Sequence, residues 1–180
     1  MKKLTFLSFF FLSLSICAQK YYTKTGSTEF KASVQAFEPV EAKNNSTSAV
    51  LNSETGDIAA LLFVKAFRFR VALMQEHFNE NYMESNKFPK ANFRGKIAGF
   101  NASEISTSKE YTIKGSLTVR GVKKEIETVA KFTKQGGKLR LQASFSVTPE
   151  DFKIKIPKIV SKKIAGTINV TLDYELIEKK

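Results

Sequence analysis

The sequence predicts an all-β protein, an antiparallel barrel of about eight strands with one short helix. Three observations carry this. Apolar residues recur with period two through most of the chain, and glycine-bearing turns separate the alternating runs. The one helical stretch, about three turns long, is too small to cover the dry face of so many strands. The sheet must therefore cover itself, as a sandwich or by closing on itself, and runs of about ten residues favour closure.

The elements follow in chain order. Phe30, Ala32, Val34 and Ala36 share a side against Glu29, Lys31 and Gln35. Glu38 to Asn45, with Pro39 and the pair Asn44-Asn45, reads as a loop or a broken edge strand. SETGD, Ser53 to Asp57, closes a hairpin. From Asp57 to Leu73 one parity holds Phe63, Phe67, Phe69, Val71 and Leu73, interrupted by Lys65, with Arg68 and Arg70 opposite. Met74, Phe78 and Tyr82 then fall four apart on a helical face, and Phe88-Pro89 stops the helix and launches the extended run holding Phe93 and Ile97. Tyr111, Ile113, Leu117 and Val119 alternate with Lys114, Ser116 and Arg120 before the reversal at Gly121. Gly136-Gly137 makes a second tight reversal between Phe132 and Leu139. Leu139, Leu141, Ala143, Phe145 and Val147 form the next dry face, Glu150-Asp151 in VTPEDF reads as a turn preceding a strand, and Ile164, Ile168, Val170, Leu172, Tyr174 and Leu176 form the last.

Residues 1–18 have the layout of a cleaved secretory signal: Lys2-Lys3, an apolar run from Leu4 to Ile16, and a short residue pair ending in Ala18. The run is short for a permanent span, which needs about 20 apolar residues. Cys17 could instead be the lipidated first residue of a lipoprotein, but Ile16 stands before it where a small residue is wanted, so cleavage after Ala18 is the expectation. The expected product is one domain over residues 19–180, periplasmic or secreted, without cysteine and hence held by packing alone. Losing Lys2 and Lys3 lowers the formal net charge from +12 to +10. Export removes nucleic acid as a partner. Most lysines alternate with apolar residues, as on a solvated outer face, and the sharper reading of the charge is contact with an anionic membrane surface or a lipid phosphate.

Three segments, MQEHFNENYMESNKFPKANFRG at 74–95, GSLTVRGVKKEI at 115–126 and VTPEDFKIKIP at 147–157, resemble the YceI-like family of lipocalin-like secreted bacterial proteins. The resemblance runs from about Phe30 to Val170. It implies a lipocalin-like barrel and a polyisoprenoid or other long apolar lipid as ligand, with no cofactor. Strand parity then nominates the lining: Phe30, Val34, Phe63, Phe67, Phe69, Phe93, Ile113, Leu117, Phe145, Val147 and Ile168. Met74, Phe78 and Tyr82 would close one end or pack under the rim. Lys65, at an inward position, would meet a lipid head group at a mouth or snorkel to water. Twelve phenylalanines remain after four leave with the signal, and large rings beside Ala32, Gly95 and Ala143 could leave an elongated void, although a barrel of this size can also be filled.

The residues for chemistry are sparse. His77 is the one histidine, and without partners of its kind it makes neither a usual metal site nor a recognisable nucleophile elbow. A lipid-modifying enzyme using His77, and a ligand-free stress-related binding module, are the rival expectations to a lipid carrier. Neither the lipid nor the oligomeric state is legible in the sequence.

Overall fold

The computed structural model describes residues 20–34 and 37–179. The expected signal Met1–Ala18, Cys17 included, lies outside them, as do Gln35 and Ala36. Nine strands form one sheet: β1 (Lys20–Ser33), β2 (Glu41–Asn52), β3 (Asp57–Phe63), β4 (Arg68–Phe69), β5 (Lys90–Ile97), β6 (Ser108–Val119), β7 (Val122–Gln135), β8 (Lys138–Val147) and β9 (Ile164–Lys179). Every pairing is antiparallel, each long strand pairs with its neighbours in sequence, and β1 pairs with both β2 and β9. Eight strands thus close into an up-and-down barrel, with the two-residue β4 laid beside the start of β2. Closure pairs each long strand on both sides, although β7 and β8 part beyond Ala130 and Ala143.

The reversals follow from the residues that make them. Val119 faces Val122 across Arg120-Gly121, both with positive φ (50° and 74°), as a two-residue hairpin with the right twist requires. Gly136-Gly137, at 57° and 77°, repeats the geometry between β7 and β8. At the β2–β3 hairpin the Gly56 N–H donates to the Asn52 carbonyl at 2.9 Å.

Structure and sequence reading part company in four places. The first is Glu38 to Asn45: the chain from Glu41 is neither a loop nor an edge strand but part of the twelve-residue β2, paired with β1 on one side and with β3 and β4 on the other. Its inward set is Ala42, Asn44, Thr47, Ala49 and Leu51, so polar residues hide the alternation, and a register shift near Asn45 hides it further. Asn44 is 0% exposed, donating from Nδ2 to the Phe63 carbonyl at 3.0 Å and accepting at Oδ1 from both Ser46 N and Ser46 Oγ at 2.8 Å. Its amide thus ties β2 to the chain where β3 ends and a 3₁₀ turn, Val64–Ala66, begins.

That turn is the second departure. Within β3 the inward residues are Ile58, Ala60 and Leu62, so Phe63 points out; the 3₁₀ turn then resets the parity and brings Phe67 and Phe69 in. Lys65 lies exposed on the turn, its ammonium donating to Asn86 Oδ1 at 2.6 Å, rather than inward. Third, the helix runs as α1 (Ala72–His77) continued by a π-helical turn, Phe78–Tyr82, closed by Met83 N–H to the Phe78 carbonyl at 2.9 Å. It therefore ends at Tyr82, before Phe88-Pro89, and the backbone turns left-handed at Glu84 with φ 46°. Fourth, Glu150–Phe152 is a 3₁₀ turn, and the residues after it run without strand pairing to Ile164.

Alternate connections of such a barrel share an end. At one end lie the β2–β3, β5–β6 and β7–β8 connections, and here the interior is filled: Leu51, Ile97, Phe132, Leu139, Leu141 and Leu176 are buried in one cluster with Phe100 and Tyr111. At the other end lie the residues between β1 and β2, the helical segment, the Arg120-Gly121 hairpin and the long connection from Thr148 to Lys163. Here the β7–β8 ladder stops at Ala130 opposite Ala143 while β8–β9 continues to Val147. The strands separate, and the 3₁₀ turn packs against β7 where they part, with Lys124 ion-paired to Asp151 and Arg120 Nη1 donating to the Lys153 carbonyl at 2.8 Å.

Candidate functional site

The half of the barrel away from the filled end is hollow. A cavity of about 400 Å³ begins in the middle of the barrel and runs toward the helical segment, inside the roughly 300–1,000 Å³ range of ligand pockets. Its wall is almost wholly aliphatic and aromatic; His77 and Lys163 are the only lining residues bearing an imidazole or an ammonium.

Three structural reasons account for the hollow. Inward positions alternate large with small, Ala32, Ala60, Ala91 and Ala143 standing among phenylalanines, so side chains do not fill the bore along its whole length. On β5 and β6 the residues facing each other are Gly95 and Gly115, and the Phe93 ring lies over both. A Cβ on Gly95 would come within 2.6 Å of the Phe93 Cζ, and one on Gly115 within 2.7 Å, so the glycines let the ring lie flat along the wall rather than across the bore. Finally, the helical segment lies over the opening, where Phe78 joins Phe30, Phe67 and Phe69 in an aromatic cluster with centroids 5.0 to 5.8 Å apart.

The cavity floor carries its one buried polar cluster. Tyr174 OH and Thr47 Oγ1 each lie 2.9 Å from Thr28 Oγ1, and all three side chains line the bore. Burial pushes the Tyr174 phenol above its ordinary pKa, against an opposing pull from the hydrogen bonds of Thr28 and Thr47. The folded protein therefore holds this proton at a pH where the unfolded chain has released it, so the contribution is intact below the ordinary tyrosine value of about 10 and stability falls as pH rises beyond it. Urea midpoints measured from pH about 8 to about 11 should decline, and Tyr174→Phe should make the decline shallower. A variant with an unchanged slope would place the effect elsewhere.

Of the fourteen residues nominated from the sequence, twelve meet in this cavity: Phe30, Phe67, Phe69, Met74, Phe78, Tyr82, Phe93, Ile113, Leu117, Phe145, Val147 and Ile168. Two do not. Phe63 is 51% exposed on the outer wall, where Lys90 lies with its ammonium 5.4 Å from the ring centroid. Val34 lies just past the end of β1, where its carbonyl accepts from Phe37 N–H at 3.0 Å and the chain turns away. Val40 lines the bore instead, its carbonyl accepting from Ala32 N–H at 2.8 Å. The sequence reading also missed Phe152, Ile154, Ile156 and Val160, which line the mouth from a segment without strand structure. Their signal was present in the spacing of apolar residues in DFKIKIPKIV, read there as a strand.

His77 is exposed at the mouth and, among the described residues, has no hydrogen-bond or ion-pair partner. Among those residues no group of His, Cys, Asp and Glu gathers as a metal site, and no helix is long and apolar enough to cross a membrane.

A closed antiparallel barrel, filled at one end and hollow and apolar at the other, defines a lipocalin-like binding architecture. The chain belongs to the YceI-like family, whose domain model matches residues 20–176. Among solved structures it is similar to a polyisoprenoid-binding domain from Saccharophagus degradans implicated in plant cell wall breakdown, with a TM-score of 0.74 at 10% identity over 90% of this chain and 99% of that one. BcnA of Burkholderia cenocepacia is similar at TM-score 0.68 and 16% identity, over 86% of this chain and 96% of that one. The Campylobacter jejuni YceI protein gives 0.61 and 16%, over 80% and 87%. At these identities the likeness is one of fold. No curated protein matches the chain in sequence.

Proposed function

We propose that this protein takes up a long apolar lipid, a polyisoprenoid or a molecule of similar shape, in the hollow half of the barrel and holds or carries it without transforming it. The observation that carries the proposal is the bore itself: about 400 Å³ of interior with an aliphatic and aromatic wall and a mouth at the helical end. A void with such a lining stays dry and forgoes the dispersion contacts that a guest would supply. Each methylene moved from water gains about 0.8 kcal/mol gross, and large ligands keep about 0.3 kcal/mol per atom net, so affinity grows with chain length rather than with any single polar contact. The solved neighbour described as a polyisoprenoid-binding domain supports the ligand class.

Binding rather than turnover is supported by the setting of His77, exposed and without an acid or nucleophile hydrogen-bonded to it among the described residues. The signal-like layout of Met1–Ala18 supports a periplasmic or secreted site of action. Native mass spectrometry of the chain purified from its own host is the test. The expected result is a fraction carrying extra mass that organic solvent releases as a hydrocarbon-rich lipid. Protein that arrives empty and also fails to take up an added polyprenol would overturn the proposal and favour a ligand-free binding module.

A further inference from the structure

The long connection between β8 and β9 has a second face. Inward, Ile154, Ile156 and Val160 line the mouth of the bore, with the exposed Lys163 at its rim; outward, Lys153, Lys155, Lys158 and Lys162 are exposed, with Ile159 among them at 87% exposure. No acidic residue interrupts the run from Lys153 to Leu172. Among the described residues none of the five lysines has an ion-pair partner, as is also true of wall lysines such as Lys96, Lys131 and Lys134 but not of Lys31, Lys109, Lys114, Lys124 and Lys138, so all five are free to meet an external anion. The helical connection at the same end mixes exposed Lys65, Arg68, Arg70 and Lys87 with Glu76, Glu80 and Glu84, and the β1–β2 connection carries Glu38, so neither has an acid-free run of lysines. Two more large apolar side chains, Phe37 and Leu73, are exposed on connections at this end.

We infer that this strap is a docking surface for an anionic lipid bilayer, presenting the mouth of the bore to the membrane. Unpaired lysines at a surface gain from a negative leaflet, and a nearly fully exposed isoleucine among them gains by entering the acyl boundary. The isoleucine decides between partners. A soluble polyanion would use the lysines and leave Ile159 in water, whereas a bilayer uses both. The inference does not depend on what the bore carries, since the surface is described by charge and exposure alone, and its test reads membrane binding whether or not cargo is present.

The test is flotation of the chain purified from its host with vesicles of phosphatidylcholine alone, or of equal parts phosphatidylcholine and phosphatidylglycerol. Binding is expected to the anionic vesicles and to be lost at high salt. Lys155→Glu/Lys158→Glu/Lys162→Glu should weaken it at least a hundredfold, at about fivefold for each lysine removed. Ile159→Ser should weaken it about tenfold. The control is Lys96→Glu/Lys131→Glu/Lys134→Glu, an equal charge change at exposed sites on or near the filled end, which should lower binding by less than the strap variant by an order of magnitude. Equal losses in strap and control variants would reduce the effect to net charge and overturn the inference. So would an unaffected Ile159→Ser, which would indicate a polyanion surface, or a parent chain that ignores anionic vesicles. All seven side chains are exposed, so circular dichroism should show unchanged folding.

Discussion

Phe132→Ala is expected to cost about 3–5 kcal/mol of stability, enough to leave a large fraction of the chain unfolded under mild denaturant. Phe132 is 0% exposed at the centre of the filled end, its ring centroid 5.1 Å from Phe100 and 5.7 Å from Tyr111, the latter nearly perpendicular at 83°. Its neighbours are fixed on paired strands: Leu141 faces it across β7–β8 and Tyr111 stands beside it on β6. Strands held in register by ladders on both sides cannot close over a missing ring, so the cavity term adds to the lost transfer energy. For a domain of this size the melting temperature should fall by roughly 6–20 °C. A fall of under about 3 °C would show that this end is not the packed half of the barrel. The fraction that remains folded should still hold cargo, because the bore lies toward the opposite end; the two halves of the interior do separate work, one anchoring the fold and one leaving space.

The division between these halves explains what could be read from the chain and what could not. On β6, β8 and β9 the alternation survives intact into the structure, and the inward residues Ile113, Leu117, Phe145, Val147 and Ile168 follow from parity alone. Both two-residue hairpins were legible because only glycine adopts their backbone freely. Parity fails wherever a residue is inserted, since one extra position turns every later side chain to the other face. That is the history of Phe63: three residues of 3₁₀ turn follow it, and the phenylalanine numbering 63, 67, 69 keeps one parity whether those residues run extended or turn. Asn44 and Thr47 failed for a different reason. An inward polar residue is tolerable only with its partners, and those partners, the Phe63 carbonyl and Thr28, lie 19 residues away in the chain. Whether the barrel was hollow depended on Gly95 facing Gly115 under the Phe93 ring, a coincidence of register between two strands that no single stretch of sequence contains.

Ala60→Phe/Ala143→Phe is expected to remove most lipid retention while leaving the fold in place. Both alanines face the bore from strands on different parts of the wall, β3 and β8, and together they put two rings into a cavity of about 400 Å³. Two phenyl rings displace on the order of ten ligand carbons, which at about 0.3 kcal/mol each is about 3 kcal/mol, or more than a hundredfold in affinity. The sign of the stability change is opposite to that at Phe132, because the added rings enter empty space instead of vacating filled space, and filling a void is commonly neutral or mildly stabilising. The matched comparison is Phe63→Ala, a phenylalanine that sequence parity placed in the lining but that stands on the outer wall under Lys90. Removing that ring should leave lipid retention unchanged. Lipid extracted from equal amounts of folded protein and weighed by mass spectrometry gives the measurement. If the double variant keeps its cargo while Phe63→Ala loses it, the ligand rides on the outside of the barrel and the bore is not its site.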